Sequence, residues 1–91
     1  MLKLSGRITR NTRIIMDVDV ITDIEGSYQD NLKECLRSLC EKMDISTPYW
    51  LPHNVDQYNK KRKTTFTEHN FIEKINFDKF IISETRSETK E

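Results

Sequence analysis

The sequence of 91 residues contains few cysteines, glycines and prolines and no long apolar run. It contains two cysteines, too few for a disulfide framework. Its two glycines and two prolines exclude collagen-like and low-complexity classes. No run of roughly 18 apolar residues is present, so we predict no transmembrane helix and no membrane partner. No long apolar stretch follows the first residues, so we expect no export signal and a cytoplasmic protein with reduced thiols.

An excess of charge of one sign is also lacking. Lysine and arginine number 15, as do aspartate and glutamate. Bulk charge therefore does not favour coating nucleic acid or an anionic membrane. Apolar residues make up only 35% of the chain, and a domain this small buries about 60–65% of its unfolded surface. We therefore expect a modest core, which a homodimer could supplement.

Two neighbouring segments alternate apolar and polar residues in the same phase, which predicts two strands. In 2–9 all the apolar residues, and in 14–24 most of them, fall on even positions. Opposite residues of an antiparallel pair share a face, so the paired residue numbers must have an even sum. A three-residue turn satisfies this condition and is predicted. A two-residue turn at Asn11 and Thr12 would place apolar residues opposite acidic ones.

The next segment, 28–43, is predicted to be an amphipathic helix. Ser27 and Asp30 form a start signal close to a capping box. Six residues then recur at helical spacing and form one apolar stripe: Leu32, Cys35, Leu36, Leu39, Cys40 and Met43. The helix should end near Asp44, because Pro48 discourages its continuation.

The remaining chain predicts shorter elements. A short helix should run from Pro52 to about Lys60, followed by an extended segment at 64–66. Thr67 can cap another short helix. A final strand is predicted over 77–83, and the wholly polar segment 84–91 is predicted to be disordered.

Together these elements predict one α+β domain over residues 1–83. The N-terminal hairpin and the C-terminal strand would form a small antiparallel sheet. One amphipathic helix would pack on it, with short additional helices covering the rest.

Four soft metal ligands are present: Cys35, Cys40, His53 and His69. Five positions on a helix separate the two cysteines by about 140° in direction and about 7.5 Å in rise. One metal ion cannot easily bind both, and their Cα atoms exceed the roughly 7 Å limit for a disulfide. We therefore predict two core residues, with no metal site and no cofactor.

Asp17 and Asp19 project from one face of the second strand, where paired carboxylates could bind Mg²⁺ or share acid and base roles. The first strand offers ordinary partners on that face: Lys3, Ser5 and Arg7. Cross-strand pairing is therefore the preferred interpretation. Ile15 and Ile21 share this face, which indicates cover by a later segment or by a second subunit.

A basic run and an aromatic pair are the candidate binding residues. The run comprises Lys60, Lys61, Arg62 and Lys63. With Tyr58 and Phe66 nearby, it could bind nucleic acid through phosphate contacts and base stacking, although a solvated loop is the preferred interpretation.

The pair Tyr49 and Trp50 lies between two prolines and could anchor a partner protein. Closure of the open end of the core is the preferred interpretation. The predicted aromatic cluster there comprises Tyr58, Phe66, Phe71, Phe77 and Phe80.

No catalytic motif is present: the chain lacks a glycine-rich phosphate loop and the patterns G-x-S-x-G, H-E-x-x-H and C-x-x-C. We therefore predict no catalytic residues. The first functional hypothesis is a non-catalytic protein-interaction or accessory module, with a homodimer as one form. The alternative is nucleic-acid binding through the basic run. A third hypothesis is a small enzyme or metal site assembled from distant residues.

Several short motifs resemble a group of small proteins of Gram-positive, clostridia-like bacteria. They are Met-Leu-Lys-Leu, Pro-Tyr-Trp-Leu-Pro, Thr-Phe-Thr-Glu-His-Asn-Phe-Ile and Ile-Asn-Phe-Asp-Lys-Phe. The resemblance extends from residue 1 to about residue 83. It implies a bacterial, cytoplasmic single domain and assigns no functional residue.

Overall fold

A computed structural model describes residues 2–22 and 26–85. Its elements are, in chain order, β1 (Leu2–Arg10), β2 (Arg13–Thr22), α1 (Tyr28–Met43), α2 (Pro52–Lys61), β3 (Lys63–Phe66), a 3-10 turn (Glu68–Asn70) and β4 (Lys79–Thr85). The four strands form one antiparallel sheet in the order β2-β1-β4-β3. One core contains residues of both helices and of one sheet face. The predicted α+β class is confirmed.

The pairing of β1 with β2 has the predicted phase. From Leu2 opposite Thr22 to Ile8 opposite Met16, every pair of residue numbers has an even sum. Leu4 is fully buried beneath α1, as the alternation requires. The part of the predicted second strand at 23–24 lies outside the described residues.

The predicted three-residue turn is wrong. The turn consists of Asn11 and Thr12, whose φ angles of 54° and 64° are those of a tight hairpin turn. A β-bulge reconciles this turn with the strand phase, because Thr9 pairs with Ile14 and leaves Ile15 as an extra residue. Alternation alone does not reveal a bulge, which is why it predicts a three-residue turn.

The turn end of the hairpin extends beyond the helical layer. Ile14 is 56% exposed and Met16 is 36% exposed, although the alternation predicts both on the buried face. Opposite residues share a face, so Ile14 lies with Thr9 on the sheet face that carries no helix.

Helix α1 has the predicted bounds. The Ser27 hydroxyl accepts a hydrogen bond from the Asp30 backbone N–H at 3.1 Å, and Asp44 ends the helix in a left-handed conformation. Its apolar stripe faces the sheet directly above Gly6. A Cβ atom at Gly6 would lie 2.5 Å from Cδ2 of Leu39, so the glycine permits this close approach.

Helix α2 begins at Pro52 as predicted, but the basic run is not a loop. Lys60 and Lys61 form the last turn of α2, and Lys63 begins β3. Arg62 alone reverses the chain, with a φ of 57°. One left-handed residue between helix and strand makes a separate loop unnecessary.

The C-terminal part differs from the prediction in two ways. The segment after Thr67 forms only one 3-10 turn, and Ile72 is 80% exposed. The last strand runs over Lys79–Thr85 rather than 77–83, so Glu84 belongs to the sheet and not to a polar tail. The rest of the predicted tail, 86–91, lies outside the described residues, as does Met1.

Within residues 2–22 and 26–85, neither helix has the length and apolar content needed to cross a bilayer.

Candidate functional site

A cleft of about 470 Å³ lies between α1 and α2. We call it the interhelical cleft, and its lining residues are Tyr28, Gln29, Leu32, Lys33, Leu36, Trp50, Val55, Tyr58, Asn59 and Arg62. The cleft forms because each helix contacts a different part of the sheet: α1 lies against β1 and β2, and α2 against β3. Its volume is within the range of about 300–1,000 Å³ that is typical of ligand sites.

Trp50 forms one wall of the interhelical cleft and also closes the core. Its ring packs edge-on against Tyr58 and Phe66, with ring centroids 5.5 and 5.2 Å apart. The prediction of core closure is therefore confirmed for Trp50. Tyr49 differs, because its ring is exposed and only its backbone is fixed, through hydrogen bonds with Asn70.

All five residues of the predicted aromatic cluster belong to the one buried core, and their ring contacts form two groups within it. Phe66 connects the Trp50 group to Phe80, with centroids 5.8 Å apart. Phe71 and Phe77 form a separate edge-on pair at 5.7 Å.

A polar cluster borders the cleft where α1, α2 and β4 meet. The hydroxyls of Tyr28 and Tyr58 both donate to Oε1 of Glu84, the second at 2.9 Å. The Arg62 guanidinium lies 5.4 Å from the centre of the Tyr28 ring, a cation–π contact. Sequence analysis missed this cluster because Glu84 was assigned to the polar tail.

Both tyrosines of this cluster resist ionisation. Burial, followed by the hydrogen bonds with Tyr28 and Glu84, raises the pKa of Tyr58 far above its ordinary value. Burial and the hydrogen bond with Glu84 also raise the pKa of Tyr28. Both phenols are consequently neutral hydrogen-bond donors at physiological pH.

The charged residues in the cleft lining are both cationic. Lys33 projects from α1 and Arg62 from the end of α2. Neither makes an ion pair with any residue in the described part of the chain. The lining therefore combines apolar walls with two cations, and the Glu84 carboxylate lies at its border.

The basic run does not form one surface. Arg62 lines the cleft, whereas Lys60 makes an ion pair with Asp56 at 3.2 Å. Lys63 borders a small depression on the opposite sheet face, with Arg7 and Asp17.

The stacking half of the nucleic-acid hypothesis is contradicted. Tyr58 and Phe66, the aromatics nearest the basic run, are buried in the core and cannot stack on bases. Nucleic-acid binding would therefore depend on phosphate contacts alone.

A buried amide network supports one end of the cleft. The Asn54 carbonyl accepts hydrogen bonds from the Leu51 backbone N–H and from the Asn70 amide, at 3.1 and 2.8 Å. Its own amide donates to the Thr64 hydroxyl and the Thr65 carbonyl, at 2.9 and 3.0 Å. This network fixes the first turn of α2 on β3 and holds the Trp50 segment in place.

The two cysteines are core residues, as predicted. Both are buried and free, and the Cys35 thiol faces the carbonyls of Leu2 and Val20 at 3.7 and 3.6 Å. Burial raises the pKa of Cys35 and raises that of Cys40 to about 11.

The four soft ligands do not share a site, because His53 and His69 are exposed whereas the cysteines are buried. Within the described ranges, no group of three or more histidine, cysteine, aspartate or glutamate side chains could hold a metal ion.

The two carboxylates of β2 have the predicted cross-strand partners. Arg7 donates to Asp17 at 3.1 Å, and Ser5 donates to Asp19 at 2.7 Å, with the Lys3 ammonium 3.8 Å from the same carboxylate.

Among residues 2–22 and 26–85, no later segment provides the predicted cover of this face. Ile15 and Ile21 are 43% and 58% exposed, because both helices pack on the opposite sheet face. A second subunit on this surface stays a prediction.

Comparison with known protein families, with curated proteins and with solved structures finds no match for this chain.

Proposed function

We propose that this chain is a non-catalytic protein-interaction module whose interhelical cleft receives apolar side chains of a partner protein. The observation that carries the proposal is the apolar wall of the cleft, formed by Leu32, Leu36, Trp50 and Val55. Val55 is 45% exposed within this lining. Concave apolar surface open to solvent is typical of binding sites in soluble domains.

The charge of the cleft favours an acidic partner segment. Lys33 and Arg62 are on opposite sides of the cleft, on α1 and at the end of α2. A carboxylate entering between them would gain charge-assisted hydrogen bonds that neither cation makes within the described residues. The occupant we propose is an amphipathic segment with large apolar anchors flanked by aspartate or glutamate.

The titratable groups beside the cleft favour binding over catalysis. The raised pKa values of Tyr28 and Tyr58 keep both phenols protonated, and both already donate to Glu84. A general base near neutral pH would instead need a pKa close to the working pH. These residues therefore support the cleft wall and offer no acid–base pair.

The proposal is tested by selecting binders from a library of random linear peptides displayed on phage. We expect the selected peptides to be enriched in acidic and large apolar residues and to shift the fluorescence of Trp50, the single tryptophan of the chain. Val55→Asp should weaken these peptides at least about tenfold, equivalent to about 1.4 kcal/mol. Ile72→Asp is the matched control, since Ile72 is exposed outside the cleft lining and should leave affinity unchanged.

Charge reversal tests the acidic character of the partner. Lys33→Glu should weaken the selected peptides about two- to fivefold, with a smaller effect at high salt. Lys42→Glu, on α1 but outside the cleft lining, should have no effect. Peptides that bind the Val55→Asp protein as well as the unaltered protein would contradict the proposed site.

A further inference from the structure

The edge strand β2 exposes apolar side chains on both of its faces, away from the interhelical cleft. The described residues include eight exposed large hydrophobic side chains, and half of them lie on this one strand: Ile14, Ile15, Met16 and Ile21. Among residues 2–22 and 26–85, β2 pairs only with β1. Within these ranges, its other edge therefore presents backbone N–H and C=O groups without a neighbouring strand.

The two edges of the sheet differ in how they are protected. β3 forms the other edge and has only four residues, beginning with Lys63. Short, charged edges are common protection against unwanted pairing. β2 has ten residues and no proline, and its bulge at Ile15 interrupts pairing only near the turn. The regular segment Met16–Thr22 is therefore open to an added strand.

We propose that Met16–Thr22 binds an extended segment of a partner protein, which adds as a fifth strand with one apolar and one basic face. Asp17 and Asp19 project on the sheet face without helices, and their side chains remain 48% and 51% exposed beside β1. A basic residue opposite either carboxylate would form a favourable cross-strand pair. This inference does not depend on the proposed function of the cleft.

β1, which already pairs with β2, shows which side chains a strand at the other edge of β2 should carry. β1 places Arg7 opposite Asp17, and Lys3 reaches Asp19, while its other face is apolar. A partner strand with the same alternation would present basic side chains to the same carboxylates from the opposite side.

A second copy of this chain fits the edge poorly. Antiparallel pairing over the whole of Met16–Thr22 would place Asp19 opposite Asp19 of the copy. The register shifted by one pair towards the turn would place Asp17 opposite Asp19. Like charges directly opposite each other destabilise a sheet. Charge therefore favours a heterologous basic strand over self-association.

The experiment uses the full chain and a synthetic peptide with the sequence of Leu2–Arg10. We expect the peptide to slow hydrogen exchange at the β2 amides that do not bond to β1, while Trp50 fluorescence stays unchanged. Trp50 reports on the interhelical cleft, so failure of this proposal is distinguishable from failure of the proposed function. A peptide with glutamate in place of Lys3 and Arg7 is the charge control. A third peptide, N-methylated at alternate backbone amides, is the control for strand pairing, because it lacks the N–H donors that pairing requires.

Protein variants locate the binding surface. Asp17→Asn and Asp19→Asn should each weaken the peptide about two- to fivefold, and Ile72→Lys should not. Equal binding of either control peptide would overturn the proposal, as would displacement of β1 instead of addition to β2. A dimer in solution whose protected amides lie on β2 would also overturn it, because a second copy would then occupy the edge.

Discussion

At the scale of single residues, Asn54 has the largest structural role that sequence analysis overlooked. Its side chain is fully buried and makes four hydrogen bonds, to Leu51, Thr64, Thr65 and Asn70. In the described residues, no buried side-chain nitrogen or oxygen atom lacks a partner. The network is therefore complete, and a complete network is costly to break.

Asn54→Ala should lower the free energy of unfolding by about 2–4 kcal/mol, because it leaves several buried partners without hydrogen bonds. Urea unfolding followed by far-ultraviolet circular dichroism measures the change. Asn59→Ala is the matched control, since Asn59 is exposed on the same helix and should change stability by no more than about 0.5 kcal/mol. Equal losses in the two variants would show that the network does not stabilise the fold.

The sequence alone could not have revealed this network. Asn54, Thr64 and Asn70 are separated along the chain, and each is a common surface residue. The same reasoning explains why Glu84 was placed in a tail: its neighbours are polar, and its two tyrosine partners come from α1 and α2. Polar contacts between distant residues leave no periodic pattern, whereas apolar stripes do.

At the scale of elements, the patterns that repeat along the chain predicted the structure well. The start and end of α1 followed from the Ser27 cap, the apolar stripe and Pro48. The phase of β1 and β2 followed from alternation. The length of the turn between β1 and β2 did not follow from alternation. The bulge adds one residue to β2, and no residue type marks its position in the sequence.

The hairpin turn provides a test at this scale. Thr12 has a β-branched side chain and a φ of 64°, a conformation that costs a non-glycine residue roughly 1–2 kcal/mol. Thr12→Gly should raise the free energy of unfolding by about 0.5–1 kcal/mol, after the greater freedom of glycine in the unfolded chain is deducted. Thermal unfolding measures the gain.

Thr65→Gly, within β3, is the control for the turn and should lower stability, because glycine weakens a strand interior. A loss of stability in Thr12→Gly would contradict the turn geometry described above.

At the scale of the whole molecule, the fold keeps two thiols and two phenols in their neutral form. Burial raises the pKa of Cys35, Cys40, Tyr28 and Tyr58, the second to about 11. The ordinary pKa is 9.0 for the thiols and 10.0 for the phenols. A raised folded pKa means that the unfolded chain loses its proton first as the pH rises.

We therefore expect stability to be constant from neutral pH to about pH 8 and to fall above pH 9, as the unfolded thiols and then the unfolded phenols ionise. Each of the buried groups Cys35, Cys40 and Tyr58 contributes a slope of up to about 1.4 kcal/mol per pH unit between its unfolded and folded pKa, and the exposed Tyr28 contributes less. Urea unfolding from pH 7 to pH 11 measures the profile. Cys40→Ala should reduce the slope between pH 9 and pH 11, and an unchanged slope would contradict this assignment.

The burial of the two thiols also means that their chemical labelling can measure how often the folded protein opens. Both cysteines are buried, with exposed fractions of 0% and 2%, and the Cys35 sulfur lies between α1 and the carbonyls of Leu2 and Val20. A thiol-specific label can react with Cys35 only after α1 separates from β1 and β2, so the labelling rate of Cys35 would measure how often the helix leaves the sheet. A ligand that stabilises the packing of α1 would then be detected by slower labelling of the cysteines, without an attached probe.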